Sequence, residues 1–160
     1  NQATFTYDYD GLSGTINLQR YTYNMLDISG DWDALESGII TGCTNPSLNG
    51  AELGYTFYSI TQNGSSITIV ETYSNGDTCT YDLTSTQKGT YIDASGTYTC
   101  PFTIDNPDSV PVTYILAGGV TFNDMRVIDD FLIFEYDLQF LTFETCRIQA
   151  KVSGIISEPF

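Results

Sequence analysis

Apolar and polar residues alternate along most of this 160-residue chain, which is the pattern of β-strands that bury one face. The pattern is clearest over residues 55–83, where aromatic, β-branched and Thr residues surround two Asn-Gly pairs. Asn63-Gly64 and Asn75-Gly76 are each typical of a tight hairpin turn, because Asn and Gly adopt positive φ at low cost. We therefore predict a three-stranded antiparallel meander over this stretch.

The turns determine which side chains of the meander share a face. A two-residue loop at Asn63-Gly64 sets Ile60 opposite Ile67. At the second turn we favour a three-residue loop with Gly76 in the left-handed conformation, because a two-residue loop would scramble the faces. One face of the meander is then apolar, and it consists of Tyr58, Ile60, Ile67, Ile69, Cys79, Tyr81 and Leu83.

Strand-like segments continue on both sides of the meander. Residues 3–10 alternate, and a turn follows at 10–14. Within residues 127–152, the even positions from 132 to 140 and from 146 to 152 are apolar. A short helical turn is plausible only within residues 25–36. The spacing of strands and turns predicts one all-β domain over residues 1–160, an antiparallel β-barrel or β-sandwich of about eight to ten strands with two disulfides.

The net charge of the chain limits the classes of molecule that we expect it to bind. Five Lys and Arg residues face twenty Asp and Glu residues, giving a formal net charge of −15. Nucleic acids and anionic membranes are both disfavoured as partners, because binding to phosphates or anionic lipids needs clustered basic residues. The chain begins at Asn1 without a signal peptide or an apolar run, and we interpret it as a processed mature chain.

Four cysteines indicate the redox compartment. The sequence contains no His and no Cys-x-x-Cys, so a zinc site is less plausible than two disulfides in an extracellular protein, secreted or on the cell surface. Three pairings are open. We favour Cys79–Cys100 with Cys43–Cys146, because the first joins neighbouring strands and the second joins the first half of the chain to the last strand.

Candidate catalytic residues are few. Without His, the usual activation of a Ser or Cys nucleophile is excluded. Glu135 and Asp137 stand two apart on one strand face, roughly 6.5–7 Å from each other by strand rise, a spacing that could suit glycoside hydrolysis. The simpler interpretation is a solvated strand face balanced by Arg147 and Lys151. We predict a non-enzymatic protein without a cofactor.

One acidic stretch is a candidate metal site. Its residues follow part of the spacing of a calcium loop, but Trp32 and Gly38 occupy positions where an EF-hand needs Gly and Glu. An irregular calcium site and an acidic loop facing solvent remain the two interpretations. The candidate ligands are Asp27, Asp31, Asp33 and Glu36.

Gly30-Asp31-Trp32, ahead of a run of antiparallel strands, resembles the Gly-x-Trp opening of lipocalins. These are secreted eight-stranded barrels that carry small apolar ligands. Thr113-Tyr114 falls where the second motif of that family stands. The resemblance implies that Arg147, on a late strand, packs on Trp32.

Two functions follow from these observations. The first is an extracellular structural protein, of the fibre or surface-layer type, that associates through β-strands with copies of itself or with other surface proteins. An N-terminal hairpin over residues 1–24 is the candidate association element, with Phe5, Tyr7 and Tyr9 setting the register. The alternative is a lipocalin-like carrier that binds a small apolar ligand in the barrel.

Overall fold

The computed structural model describes residues 2–19, 25–104, 112–140 and 145–157. They form ten β-strands and one short 3-10 helix at Pro46–Leu48. The strands, in chain order, are β1 Gln2–Tyr9, β2 Leu12–Gln19, β3 Gly30–Thr41, β4 Gly50–Asn63, β5 Ser66–Tyr73, β6 Thr78–Lys88, β7 Tyr91–Ile104, β8 Val112–Ile128, β9 Phe131–Phe140 and β10 Arg147–Ile156.

Strands β3 to β10 form a closed antiparallel barrel. Each strand pairs with the next one in the chain, and β10 closes the barrel by pairing with β3. The prediction of an all-β fold is confirmed, and of its two architectures the barrel is the one formed. No helix of the described residues is long and apolar enough to cross a bilayer.

The helical turn expected within residues 25–36 is wrong. Its second half is the start of β3, where Trp32, Ala34 and Glu36 alternate into the barrel interior. This period of two suits a strand and not a helix, because a helix would turn Ala34 to the side opposite Trp32 and Glu36.

The interior of the barrel is filled by the inward face of every strand. Aromatic rings form its centre, and Tyr58 and Phe122 lie 5.6 Å and 5.3 Å from Phe134 between ring centroids. The even positions of β9 point inward as predicted from residue 132 to residue 138. The side chains at the centre that are almost fully buried are Tyr58, Ile67, Ile69, Tyr81, Ile92, Phe122, Met125, Leu132, Phe134 and Val152.

The two turns of the meander were predicted with different success. The three-residue loop is confirmed: Gly76 has φ +89°, and its amide donates to the carbonyl of Tyr73. The first turn is Gly64-Ser65 and not Asn63-Gly64, since Asn63 pairs with Ser66. Ile60 therefore lies opposite Ile69 and not Ile67. Because this shift is two residues, the predicted apolar face still points inward.

Both disulfides form in the pairing favoured from the sequence. Cys43–Cys146 joins the segment after β3 to the segment before β10, across a sequence separation of 103 residues. Cys79–Cys100 joins the neighbouring strands β6 and β7. The first bridge therefore fastens the two strands that close the barrel.

One end of the barrel is covered by residues 25–29. Ile28 is completely buried there, and its amide donates to Oε1 of Gln62 at 3.1 Å. Nε2 of Gln62 donates to the carbonyl of Leu26, whose amide donates to Oε1 of Gln87. Residues 25–29 are not part of a strand, so the side-chain amides of Gln62 and Gln87 take the place of a neighbouring backbone as their hydrogen-bond partners.

Strands β1 and β2 form a separate two-stranded sheet. Their turn, Asp10-Gly11, has positive φ at both residues, as a type I′ turn requires. The barrel closes without this hairpin.

Candidate functional site

The charged pair proposed for catalysis lies on the outer surface of the barrel. Glu135 forms an ion pair with Lys151 at 2.6 Å, and Asp137 forms one with Arg147. The hydrogen bond from Arg147 lowers the pKa of Asp137. The two carboxylates therefore lie on a solvated strand face with basic partners, which agrees with the simpler interpretation.

The four candidate calcium ligands are not brought together. Oδ1 of Asp27 accepts from the amide of Ser29, and Asp33 accepts from the hydroxyls of Tyr55 and Ser157. Glu36 points into the barrel, whereas the odd positions of β3 point outward. Among the described residues, no group of three or more His, Cys, Asp or Glu side chains is arranged to hold a metal ion.

The expected packing of Arg147 on Trp32 is wrong. Gly30 and Trp32 do lie at the start of the first barrel strand, and Trp32 is buried. Arg147 lies at the start of β10, where it pairs with Thr41 at the opposite end of β3. The indole N–H of Trp32 is the one buried side-chain polar atom of the described residues without a hydrogen-bond partner.

Two carboxyl groups lie inside the barrel, which sequence reasoning missed. Glu36 on β3 and Glu71 on β5 are 6% and 0% exposed. The hydroxyl of Tyr58 lies 3.0 Å from Oε2 of Glu36 and 3.1 Å from Oε1 of Glu71. The two carboxyl oxygens are therefore no more than about 6 Å apart.

Further hydroxyl groups complete this carboxyl–tyrosine cluster. Tyr136 donates to Oε1 of Glu36, and Tyr81 donates to Oε2 of Glu71 at 2.5 Å. Thr56 donates to Oε1 of Glu71 at 3.2 Å. Burial raises the pKa of Tyr58, Tyr81 and Tyr136 well above the usual range, so the tyrosines remain protonated donors.

Burial also determines the charge of the cluster. Burial raises the pKa of Glu71, the nearby Glu36 raises it as well, and hydrogen bonds from tyrosines lower it, which gives a net value of about 7. The single proton of the Tyr58 hydroxyl can be donated to only one of the two carboxyl groups. A proton on Glu71 satisfies the other contact, because Glu71 can then donate to the Tyr58 oxygen.

The sequence pattern does indicate one property of this cluster, namely that both of its acids point inward. Ile67 and Ile69 alternate inward, and the same period places Glu71 on the inner face. Trp32 and Ala34 place Glu36 inward in the same way. Because both acids are enclosed and hydrogen-bonded, the cluster can hold a shared proton, and it offers no free carboxylate to solvent.

The N-terminal hairpin carries a different candidate site. Phe5 lies opposite Ile16 and Tyr9 lies opposite Leu12, so their side chains share one face with Tyr7. All five side chains are exposed, with Tyr9 at 80% and Leu12 at 72%. We call these five residues the hairpin face. Thr and Asp residues of β1 occupy the opposite face.

A strand edge is open at the end of the barrel away from Trp32. β4 pairs with β3 from Gly50 onward, but it pairs with β5 only from Thr56 onward. On its β5 side, residues 50–55 have no strand partner within the described ranges. Five of these six residues are exposed, and Leu53 is 73% exposed. We call residues 50–55 the β4 edge.

No protein-family model, curated protein or solved structure matches the chain. The fold defines its class as a closed antiparallel barrel in which neighbouring strands follow one another in the chain. Function must therefore be argued from the residues of the hairpin, the edge and the interior.

Proposed function

We propose that this protein is an extracellular, non-enzymatic structural protein that associates through its N-terminal hairpin. The observation that carries this proposal is the exposed hairpin face. A two-stranded hairpin is marginally stable alone in water, and it gains stability when its apolar face is covered. Tyr9 and Leu12 stand uncovered at its tip, although burial of such side chains contributes roughly 1.5–3 kcal/mol each.

The remaining features support the same proposal. The barrel closes without the hairpin, which leaves the hairpin available to a neighbour. Two disulfides suit an oxidising compartment outside the cell. The carboxyl groups that could serve catalysis are engaged elsewhere: Asp137 with Arg147 outside the barrel, and Glu71 with Tyr81 inside it.

The test is the oligomeric state of the full chain in solution. We expect sedimentation velocity to show larger species as the protein concentration rises from micromolar to millimolar. The double substitution Tyr9→Ser with Leu12→Ser should abolish them, because it removes the most exposed part of the hairpin face. The matched control is Thr6→Ala with Thr15→Ala, a cross-strand pair on the opposite face. A wild-type protein that is monomeric throughout this range would refute the proposal.

A second candidate function is a carrier of a small apolar ligand. It is favoured by the eight-stranded barrel, since barrels of this size can enclose one small ligand. The close contacts of Tyr58, Phe122 and Phe134 oppose it, because they occupy the space that a ligand would need. Micromolar binding of a fluorescent fatty acid or retinoid would favour the carrier. An absence of binding would exclude the carrier and keep association as the proposed function.

A further inference from the structure

The β4 edge combines two features of a strand-docking site. Its backbone N–H and C=O groups on the β5 side have no strand partner among the described residues, and such groups are a template for pairing with another strand. Its outward side chains are uncharged, whereas Glu52 within the edge is an exposed acid and the hydroxyl of Tyr55 donates to Asp33. The outward positions of residues 51–55 and of the adjoining part of β3 are Ala51, Leu53, Tyr55, Leu35, Ser37 and Ile39, of which none is charged.

β7 also extends beyond a neighbouring strand, but it is less suited to the addition of another strand. β7 continues past its last pairing with β6, which is at Thr99. Pro101 lies in that extension, and it has no N–H to donate to an added strand. The β4 edge contains no proline and is the better template.

The hairpin is the matching element in the same chain. The outer edges of β1 and β2 have no strand partner in the described structure, because the two strands pair only with each other. The hairpin face exposes on the order of 500 Å² of apolar surface, if each aromatic ring can bury roughly 150–250 Å². A standard-size interface buries about 800 Å² on each partner, so the hairpin face supplies more than half of that area and the main-chain pairing adds to it.

We propose that the hairpin of one copy pairs with the β4 edge of a second copy. This inference rests on the proposed function and names the partner surface. Donor and acceptor are different surfaces of one chain, so the contact is heterologous, and repetition builds a ring or an open chain of subunits. Strand addition supplies main-chain hydrogen bonds, and Leu53 and Tyr55 extend the apolar surface that the hairpin face covers.

The test uses two complementary variants of the full chain. The hairpin variant is Tyr9→Ser with Leu12→Ser, and it keeps an intact β4 edge. The edge variant is Leu53→Lys, because natural strand edges are protected by lysine. The control is Ile128→Lys, which makes the same change of charge at the opposite end of the barrel, at a residue that is 48% exposed. Thermal melting verifies that all three variants fold.

We expect each of the first two variants alone to associate at least tenfold more weakly than the wild type, and the control to associate normally. An equimolar mixture of the two should form a heterodimer that stops at two subunits, since each variant retains the surface that the other has lost.

Three results would overturn the inference. Normal assembly of the edge variant would exclude the β4 edge while leaving the hairpin function intact. A mixture that forms no heterodimer would point to symmetric pairing between hairpins. Equal weakening by Ile128→Lys would mean that Leu53→Lys acts through its charge and not through the edge. A monomeric wild type is a separate outcome, because it refutes the proposed function itself.

Discussion

Replacing Glu71 with Gln should change how the stability of the protein depends on pH. The pKa of Glu71 is raised to about 7 in the folded protein, against an ordinary value of 4.5. Between these values the folded state holds a proton that the unfolded state releases. The contribution of Glu71 to the free energy of unfolding therefore decreases as pH rises through this window, and it is lost above pH 7.

The size of the effect follows from the difference in pKa. A shift of about 2.5 units, at about 1.4 kcal/mol per unit, lowers the free energy of unfolding by about 3 kcal/mol between pH 4.5 and pH 7.5. Glu71→Gln keeps the shape and the polar atoms of the side chain but cannot ionise. We expect the variant to resemble the wild type near pH 5 and to be more stable by up to about 3 kcal/mol at pH 8.

Urea unfolding at pH 5, 6, 7 and 8 measures this difference. Trp32 is the single tryptophan and is buried, so its fluorescence reports unfolding of the barrel directly. Glu135→Gln, on the outer surface, is the matched control and should keep the wild-type dependence on pH. If Glu71→Gln and the wild type lose stability in parallel, the raised pKa of Glu71 is wrong.

A third variant tests how much one hydrogen bond contributes to the pKa of Glu71. Tyr81 donates a 2.5 Å hydrogen bond to Glu71, and this bond lowers the pKa of the carboxyl. Tyr81→Phe should therefore raise the pKa of Glu71 further and move the loss of stability to higher pH. An unchanged pH dependence in this variant would show that the hydrogen bond does not contribute.

Three further predictions concern covalent, local and electrostatic features. Mass spectrometry without reduction should find no free thiol. Removal of Cys43–Cys146 should lower the free energy of unfolding by about 5 kcal/mol, against about 3 kcal/mol for Cys79–Cys100, because the longer loop restricts the unfolded chain more. Equal losses would contradict this explanation by chain entropy. Gly76→Val should lower the free energy of unfolding by at least about 1 kcal/mol, because Gly76 has positive φ. Gly119→Val is the control, since Gly119 lies in a strand without positive φ and has open space around it. Equal melting temperatures of the two variants would contradict the left-handed conformation of Gly76. Self-association should strengthen with added salt, because screening reduces repulsion between copies of charge −15. Weakening with salt would mean that attraction between oppositely charged groups holds the copies together.

Local sequence patterns were sufficient where neighbouring residues determine the structure. The alternation in β9 predicted its inner face, because successive side chains of a strand point to opposite sides whatever the strand packs against. Gly76 predicted the three-residue turn, because only a left-handed residue fits there. The cysteine pairing stayed open among three possibilities, because it depends on which distant strands meet, and the structure forms the favoured one.

Register was only partly determined. Loops at Asn63-Gly64 and at Gly64-Ser65 keep the same residues inside, so the local pattern could not choose between them. The choice decides whether Tyr58 meets Ile69 or Glu71, and the structure places Glu71 there.

The tertiary structure decided the features that depend on closure of the barrel. β3 and β10 meet across more than a hundred residues, and no local pattern encodes that pairing or the choice of a barrel over a sandwich. Closure brings Tyr136 of β9 to Glu36 of β3 and encloses Glu71, and this burial, together with the nearby Glu36, raises the pKa of Glu71. Within the described ranges, the β4 edge has no strand partner on its β5 side, because the pairing of β4 with β5 ends at Thr56. The sequence determined which side chains point inward, and long-range pairing determined which of them meet.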